Sequence, residues 1–241
     1  MNSFRKKTFY RVLCVCVALV AAGCDDIPEP EPVDPEFGTN RFDSRKRETA
    51  LGDMICDGIV WDFNEKSPPG GRKADFGVLN GGIFEFGLPK GNIYPNMING
   101  MLKGDALSYI DMKGAAVKKF FDELAAIPIG ANAWAQVSKE VEFTINWTNG
   151  MGQVRGLKIN GMEVDDDTDY RLVTGHVLIW GKPGSHIDRY YDTLHELETA
   201  NQACAVKLEG RTVTGAVTAY AASRPQPYIP EIDGRIVIEV K

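Results

Sequence analysis

Three histidines, His176, His186 and His195, are the only imidazoles in this 241-residue chain, and their spacing limits the chemistry they can carry. A hydrolytic metal centre needs nitrogen, oxygen or thiolate ligands clustered at short spacing. None of the three belongs to a His-Glu-x-x-His, a Cys-x-x-Cys or an Asp-x-His pair, so neither a catalytic metal nor a cofactor is expected. His176 reads as a strand-end residue and His195 as part of a helix face. Asp165-Asp166-Asp167 lacks the alternating oxygen ligands, the glycine and the closing glutamate of a calcium loop, and reads as a solvated loop. No Gly-x-Ser-x-Gly elbow is present to activate a serine. Cys56, beside Ile55 and Ile59 on an apolar helix face, reads as an inert core thiol. What remains is Asn80-Gly81-Gly82 at the end of an apolar run. Glycine there either makes a plain sharp turn, by accepting positive φ, or lets a phosphate or ribose group approach the backbone closely.

The elements that would position this turn follow from periodicity. Over residues 48–63 the apolar positions Leu51, Met54, Ile55, Ile59 and Phe63 recur at three- and four-residue spacing, which predicts an amphipathic helix ended by Ser67-Pro68-Pro69-Gly70-Gly71. Phe76-Gly77-Val78-Leu79 predicts a buried strand running into Asn80. A short helix over 93–102 and a strand over 107–112 follow. The clearest helix spans 113–127, with Val117, Phe120, Phe121 and Leu124 on one face, Lys118, Lys119, Asp122 and Glu123 on the other, and Pro128 as its stop. Val137, Val141, Phe143, Ile145 and Trp147 alternate as in one half-buried strand. Residues 154–159, Asn160-Gly161 and 162–164 predict a hairpin with a type I′ turn. Residues 170–174 are expected to continue that sheet, 188–199 and 214–222 to be helical, and 234–240 to form a last strand. The sum is a mixed α/β (α+β) domain with a largely antiparallel part.

The N-terminus has a different character. Arg5, Lys6, Lys7 and Arg11 precede an apolar run over residues 12–22, and Ala21-Ala22-Gly23 leads into Cys24. That is the layout of a secretory signal over residues 1–23, with Cys24 as the lipid-bearing residue of a relaxed lipobox, or else an ordinary cleaved signal. The run is too short to span a hydrocarbon core of about 30 Å. Residues 24–43 begin as an acid and proline alternation and predict an extended, self-repelling tether. The net charge of −6 becomes −10 once the four basic residues of the signal are removed. A chain that acidic excludes nucleic acid as a partner and excludes polybasic membrane binding, leaving the lipid on Cys24 as the contact with a membrane. About 200 residues over 44–241 suit one domain. Within it, Cys56 and Cys204 either pair in an exported compartment or stand as two buried thiols.

Taken in order, several of these segments resemble one family. Arg47-Glu48 followed by Gly52-Asp53-Met54-Ile55-Cys56-Asp57 is similar to the opening helix of the 5′-nucleotidase C-terminal domain, where an Arg-Glu pair precedes Gly-Asn-Leu-Ile-x-Asp-Ala. Ala74-Asp75 with its strand and Asn80-Gly81-Gly82, then Gly91-Asn92-Ile93, Gln136-Val137-Ser138, Asn160-Gly161, the 169–174 stretch and Asp233-Gly234-Arg235-Ile236 come in that family's order. The resemblance implies a layered α/β/β/α domain that grips a nucleotide, while the metals and the hydrolytic water belong to a separate metallophosphatase domain. It implies a ligand set of Arg47, Asn80, Gly81 and Gly82, with Glu85 where the family carries a phosphate-facing arginine. An anion there would favour an uncharged nucleoside-like ligand over its monophosphate. The family's base-stacking aromatics fall on Leu102-Lys103-Gly104 and on the 177–184 stretch, so no flat sandwich is expected, and Trp180 and Phe84 read as packing residues or as substitutes for it.

The expected function is therefore a lipid-anchored binding module linked to nucleotide catabolism. Two alternatives are the substrate-binding subunit of a split 5′-nucleotidase, partnered by a metallophosphatase chain, and a scaffold with no small ligand. If Cys24 carries the lipid, Cys24→Ser should move the protein from the membrane fraction to the soluble one. Retention of that variant in membranes after a high-salt wash would exclude lipid anchoring.

Overall fold

The computed structural model describes residues 41–66, 68–88, 94–181, 191–200, 205–225 and 228–240. The signal segment, Cys24 and the tether through residue 40 lie outside the described residues, as do Ser67, Gly91-Asn92-Ile93, the loop at 182–184, His186 and Cys204.

Helix α1 (Ala50–Glu65) starts where Thr49 caps it, its hydroxyl accepting the Gly52 N–H at 3.1 Å. That satisfies one of the donors a helix start leaves open. Helices α2 (Pro95–Met101), α3 (Gly114–Ala126), α4 (His176–Trp180), α5 (Asp192–Thr199) and α6 (Val213–Ser223) follow. In α3 the side chains of Val117, Phe120, Phe121 and Leu124 are buried while Lys118, Lys119 and Asp122 face solvent, as the 3.6-residue period requires. No helix among the described residues is long and apolar enough to cross a membrane.

The strands are β1 (Phe76–Asn80), β2 (Ala106–Lys113), β3 (Ala135–Val137), β4 (Val141–Thr148), β5 (Met151–Ile159), β6 (Met162–Glu163), β7 (Asp169–Gly175), β8 (Val206–Thr212) and β9 (Ile236–Val240). One sheet has the order β3-β1-β7-β2-β8 and the other β6-β5-β4-β9. Among the described strands, only β1 with β7 and β4 with β9 run parallel. Alternate residues of the five-stranded sheet feed two cores. Leu79, Leu107, Tyr109 and Val173 pack on one side with Ile55, Ile59 and Phe63 of α1 and Val217 of α6. Phe76, Val78, Ile110 and Leu172 pack on the other with α3 and with Phe143, Ile145 and Ile159 of the second sheet. The mixed, layered α/β class expected from the sequence is the class observed.

Several local expectations need correction. The alternating stretch at 137–147 is two strands in different sheets. Gly77 and Ser138 hold the first in place, with the Ser138 N–H donating to the Gly77 carbonyl and the Gly77 N–H to Ser138 Oγ, each at 2.9 Å. The chain then turns through Lys139 and Glu140 into β4. Because Val137, Val141 and Phe143 all face the same core, the period survives the change of sheet. Residues 169–175 join β1 and β2 instead of the hairpin, and the buried run from Arg171 to Gly175 is what a central strand shows. Strand β8 was not foreseen. It is an edge strand with exposed Lys207, Glu209 and Gly210, and polar edges carry little periodic signal. The Asn160-Gly161 turn is as predicted, with φ of 53° and 75°.

One side chain fixes how the chain enters α1. Gln136 is fully buried on β3; its Oε1 accepts from the Thr49 N–H at 3.1 Å and the Thr49 hydroxyl at 3.2 Å, and its Nε2 donates to the carbonyls of Ser44 at 3.0 Å and Arg47 at 2.8 Å. Gly52 is required beside it, because a Cβ there would overlap the Gln136 amide. Gln136→Leu would strand these partners in the interior. We expect a loss of about 3 kcal/mol, from several bonds worth roughly 1 kcal/mol each and the cost of leaving buried groups unpaired. Urea unfolding measures it, and a change under about 0.5 kcal/mol would show that the amide does not anchor the segment.

Candidate functional site

Strand β1 ends at Asn80, and Gly81–Ile83 forms a 3-10 turn. Its backbone is tied down by the Gly81 N–H donating to the Trp134 carbonyl at 2.6 Å and the Gly82 N–H to the Asn132 carbonyl at 2.7 Å. The Asn80 amide donates to the same Asn132 carbonyl at 2.9 Å. Neither Gly81 nor Gly82 is among the positive-φ residues, which corrects the conformational reason expected for them. Space is the reason. A Cβ on Gly81 would overlap the Ser44 carbonyl, and one on Gly82 would lie 2.7 Å from the Asn132 carbonyl oxygen.

The close approach at Gly81 packs a second 3-10 turn, Asp43–Arg45, against the first. The Ser44 hydroxyl donates to the Arg41 carbonyl at 2.9 Å or the Gly81 carbonyl at 3.2 Å, and the Gly130 N–H donates to the Arg45 carbonyl at 2.7 Å. Arg41 and Arg45 therefore stand beside the Asn80-Gly81-Gly82 turn. Their guanidinium carbons lie 5.0 Å and 5.1 Å from the centre of the Phe42 ring, within cation–π range. Arg41 also approaches Glu85, at 4.0 Å to Oε2 and 3.4 Å to the carbonyl. Both side chains of that pair are nearly half exposed, so it is worth at most about 1 kcal/mol.

Partial burial lowers the pKa of Arg45, the like charge of Arg41 lowers it further, and Glu85 opposes both. The buried Arg45 Nε has no hydrogen-bond partner. Arg41, Arg45 and Lys103, whose Nζ donates to the Gly82 carbonyl at 2.8 Å, outnumber the carboxylates of Asp43 and Glu85, and a buried Arg45 N–H lacks an acceptor. Such a donor suits an anionic or strongly polar oxygen on a ligand. Exposed rings lie close by in the chain, Phe42 beside Arg41, Phe86 beside Glu85, and Tyr94 at the start of α2.

The structure brings Asn80, Gly81, Gly82 and Glu85 together. Arg47 pairs with Asp43, on the turn packed against Gly81, at 3.7 Å, and its carbonyl accepts from Gln136. Arg45 and Arg41 are the cations the sequence reading missed. The available signal was the three-residue step from Phe42 to Arg45, which puts both on one side of a tight turn. Phe84 is 1% exposed and is core, as its packing reading had it. Trp180 stacks on His176 at 4.5 Å and donates its Nε1–H to Glu198 at 3.0 Å. His176 opens α4 instead of ending a strand, and His195 lies on α5 as expected. Asp165 closes its own loop, its Oδ1 accepting from the N–H groups of Asp167 at 3.0 Å and Thr168 at 3.1 Å. Cys56 is a free, fully buried thiol. Among the described residues the one group of three acidic, His or Cys side chains close enough to share a cation is Glu48, Asp53 and Asp233.

The profile of the family described as 5′-nucleotidase, C-terminal domain, matches residues 30–189. A 5′-nucleotidase of Vibrio cholerae is 31% identical over 101 residues, which is 42% of this chain and 17% of that protein. Protein UshA of Yersinia enterocolitica is 33% identical over 102 residues, 42% of this chain and 18% of its own length. The chain thus spans about a fifth of the length of the curated relatives it matches. The crystal structure of a 5′-nucleotidase precursor from Thermus thermophilus has the same fold, with a TM-score of 0.68 at 20% identity, covering 95% of this chain and 42% of that one. The ordered motifs, the two-sheet architecture and the profile match agree, and the chain belongs to the 5′-nucleotidase C-terminal domain family.

Proposed function

We propose that this chain is an exported, lipid-anchored binding module of nucleotide catabolism that holds a nucleoside or nucleotide at the Asn80-Gly81-Gly82 turn and does not hydrolyse it unaided. The observation that carries the reading is the packing of the Asp43–Arg45 turn on Gly81, which sets Arg41, Arg45 and Glu85 at the C-terminal end of a strand in parallel pairing. Crevices outside the carboxyl ends of such strands are the usual ligand sites of α/β sheets. The exposed rings of Phe42 and Phe86 supply surfaces on which a base could stack. Export rests on the basic and apolar N-terminus that leads to Cys24.

Absence of unaided hydrolysis rests on composition. Three histidines without ligand spacing are a poor basis for a metallophosphatase centre. In the split-enzyme reading a separate metallophosphatase chain would supply the metals and the water. Purified chain with added divalent metal is expected to release no phosphate from a nucleotide. Turnover that follows the protein through several columns and is lost on Asn80→Ala would overturn that part.

Calorimetric titration with adenosine and its monophosphate tests the site. Because Arg41 and Arg45 offset Glu85, wild type should distinguish the two ligands by less than about tenfold. Glu85→Arg should favour the monophosphate by about tenfold to a hundredfold, the scale of hydrogen bonds to a charged group, and Arg45→Ala should weaken it by about tenfold. Failure of every variant to bind either ligand would move the assignment to a scaffold.

A further inference from the structure

The second charged cluster lies away from this turn, where α1 meets the segment that enters β9. Asp53 is 2% exposed, and neither of its carboxyl oxygens has a hydrogen-bond donor. Glu48, 5% exposed, is well served: Oε1 accepts the N–H groups of Asp233 at 3.2 Å and Gly234 at 2.9 Å, and Oε2 that of Ile236 at 2.8 Å. Oxygens of Glu48, Asp53 and Asp233 lie within 4.8 Å of one another. The one cation at hand is the buried Arg235. It binds Asp57 in two bonds of 2.7 Å and 3.0 Å and Asp233 in two of 2.6 Å and 3.0 Å, and it donates to the Val137 carbonyl at 3.1 Å. Its nearest approach to Asp53 is 3.9 Å, too long for a hydrogen bond.

Asp53, Asp57 and Asp233 thus lie within 3.9 Å of one guanidinium, with Glu48 close by, and the most buried of the four is the one left without a donor. An ionised Asp53 would put a second uncompensated negative charge beside Glu48 in the interior, which is unfavourable by desolvation and by like-charge repulsion. A metal ion fits the gap poorly. The oxygens of Glu48 and Asp233 are already engaged by N–H groups, and the ion would sit next to Arg235. A proton needs only one O–H···O bond.

We propose that Glu48 and Asp53 share a single proton at neutral pH, and that this bond holds Glu48 in place to accept the N–H groups of the chain entering β9. Burial, then the neighbouring Glu48, push the Asp53 carboxyl up to about 9 against the opposing pull of Arg235. The other titratable groups around it are Cys56 and Asp57 on α1 and Asp233 and Arg235 before β9. Lys139, between β3 and β4, contributes its N–H to Asp57 at 2.8 Å. A cavity of about 400 Å³ lined by Lys139, Glu142, Asp233, Gly234 and Arg235 borders the network, and neither Glu48 nor Asp53 lines it.

The sign of the pH effect follows. The folded carboxyl keeps its proton up to about pH 9, whereas the unfolded one loses it near 3.8. Its contribution to stability is fully present below 3.8 and is lost as pH rises through that window, by up to about tenfold in the folding constant per pH unit. Asparagine at this position would give Glu48 an N–H with no proton to lose. Urea unfolding of the full chain between about pH 5 and pH 8 should therefore show the ratio of wild-type to Asp53→Asn folding constants falling by about tenfold per pH unit. Equal slopes in the two proteins would overturn the shared proton. Infrared spectra supply an arm that needs no variant: the wild type at neutral pH should carry the carbonyl band of a protonated, buried carboxyl, and lack of that band also overturns it. Calcium titrated at neutral pH should leave wild-type stability unchanged, and calcium-dependent stabilisation would replace the proton with a cation site.

Discussion

The arrangement depends on a single buried amide. Gln136 uses both of its polar atoms twice, on the hydroxyl and N–H of Thr49 and on the carbonyls of Ser44 and Arg47. These contacts lie 87 to 92 positions apart in the chain, so their closure stabilises only once β3 has paired with β1. Buried polar networks of this kind are favourable when every member is satisfied and costly when one is not. The need for Gly52 follows directly, because the amide occupies the volume a side chain would take. So does the position of Arg45, whose turn is held between Gln136 on one side and Gly81 on the other.

The Arg-Glu pair at the head of α1 divides its labour across this boundary. Arg47 turns outward to Asp43, while Glu48 turns inward and captures three N–H groups of the segment 233–236. The C-terminal strand β9 is thereby tied to the N-terminal helix as well as to β4. Arg235 completes the junction. Burial pulls its pKa down, but the hydrogen bonds to Asp233 and Asp57 outweigh that and raise it, so it stays charged among the carboxyl groups it holds. A comparable bidentate pair, Arg171 with Asp111 at 2.7 Å for both bonds, secures the opposite part of the five-stranded sheet and likewise raises the arginine pKa.

The turn at the candidate site was legible as an element because its glycines end an apolar strand. Asn80-Gly81-Gly82 at the end of an apolar strand read as a sharp turn or as a place for a ligand to approach the backbone, and in the structure the backbone of Ser44 and Asn132 makes the close approach. Arg45 was not legible. Its place beside Glu85 is set by a long-range contact between two 3-10 turns, and neither turn has a periodic signature. Glu85 was visible as a residue type, but Arg41 and Arg45, which offset its charge, were visible beside it only in space.

The sequence by itself determined the elements with a clear local signal: the period of α1 and α3, the apolar run of β1, the turn at Asn160-Gly161 and the helical stretch of α6. It also determined the family, through the order of short motifs. Only the tertiary structure decided which strand joined which sheet. Alternation records that a side chain faces the core and does not record which neighbour pairs with its backbone, so one continuous pattern at 137–147 could serve two sheets that share a core. The same limit applied to charge. Residue types count carboxylates and guanidiniums, whereas burial and donor geometry decide which carboxylate stays charged, and at Asp53 those were settled by contacts with a segment 180 positions further along the chain.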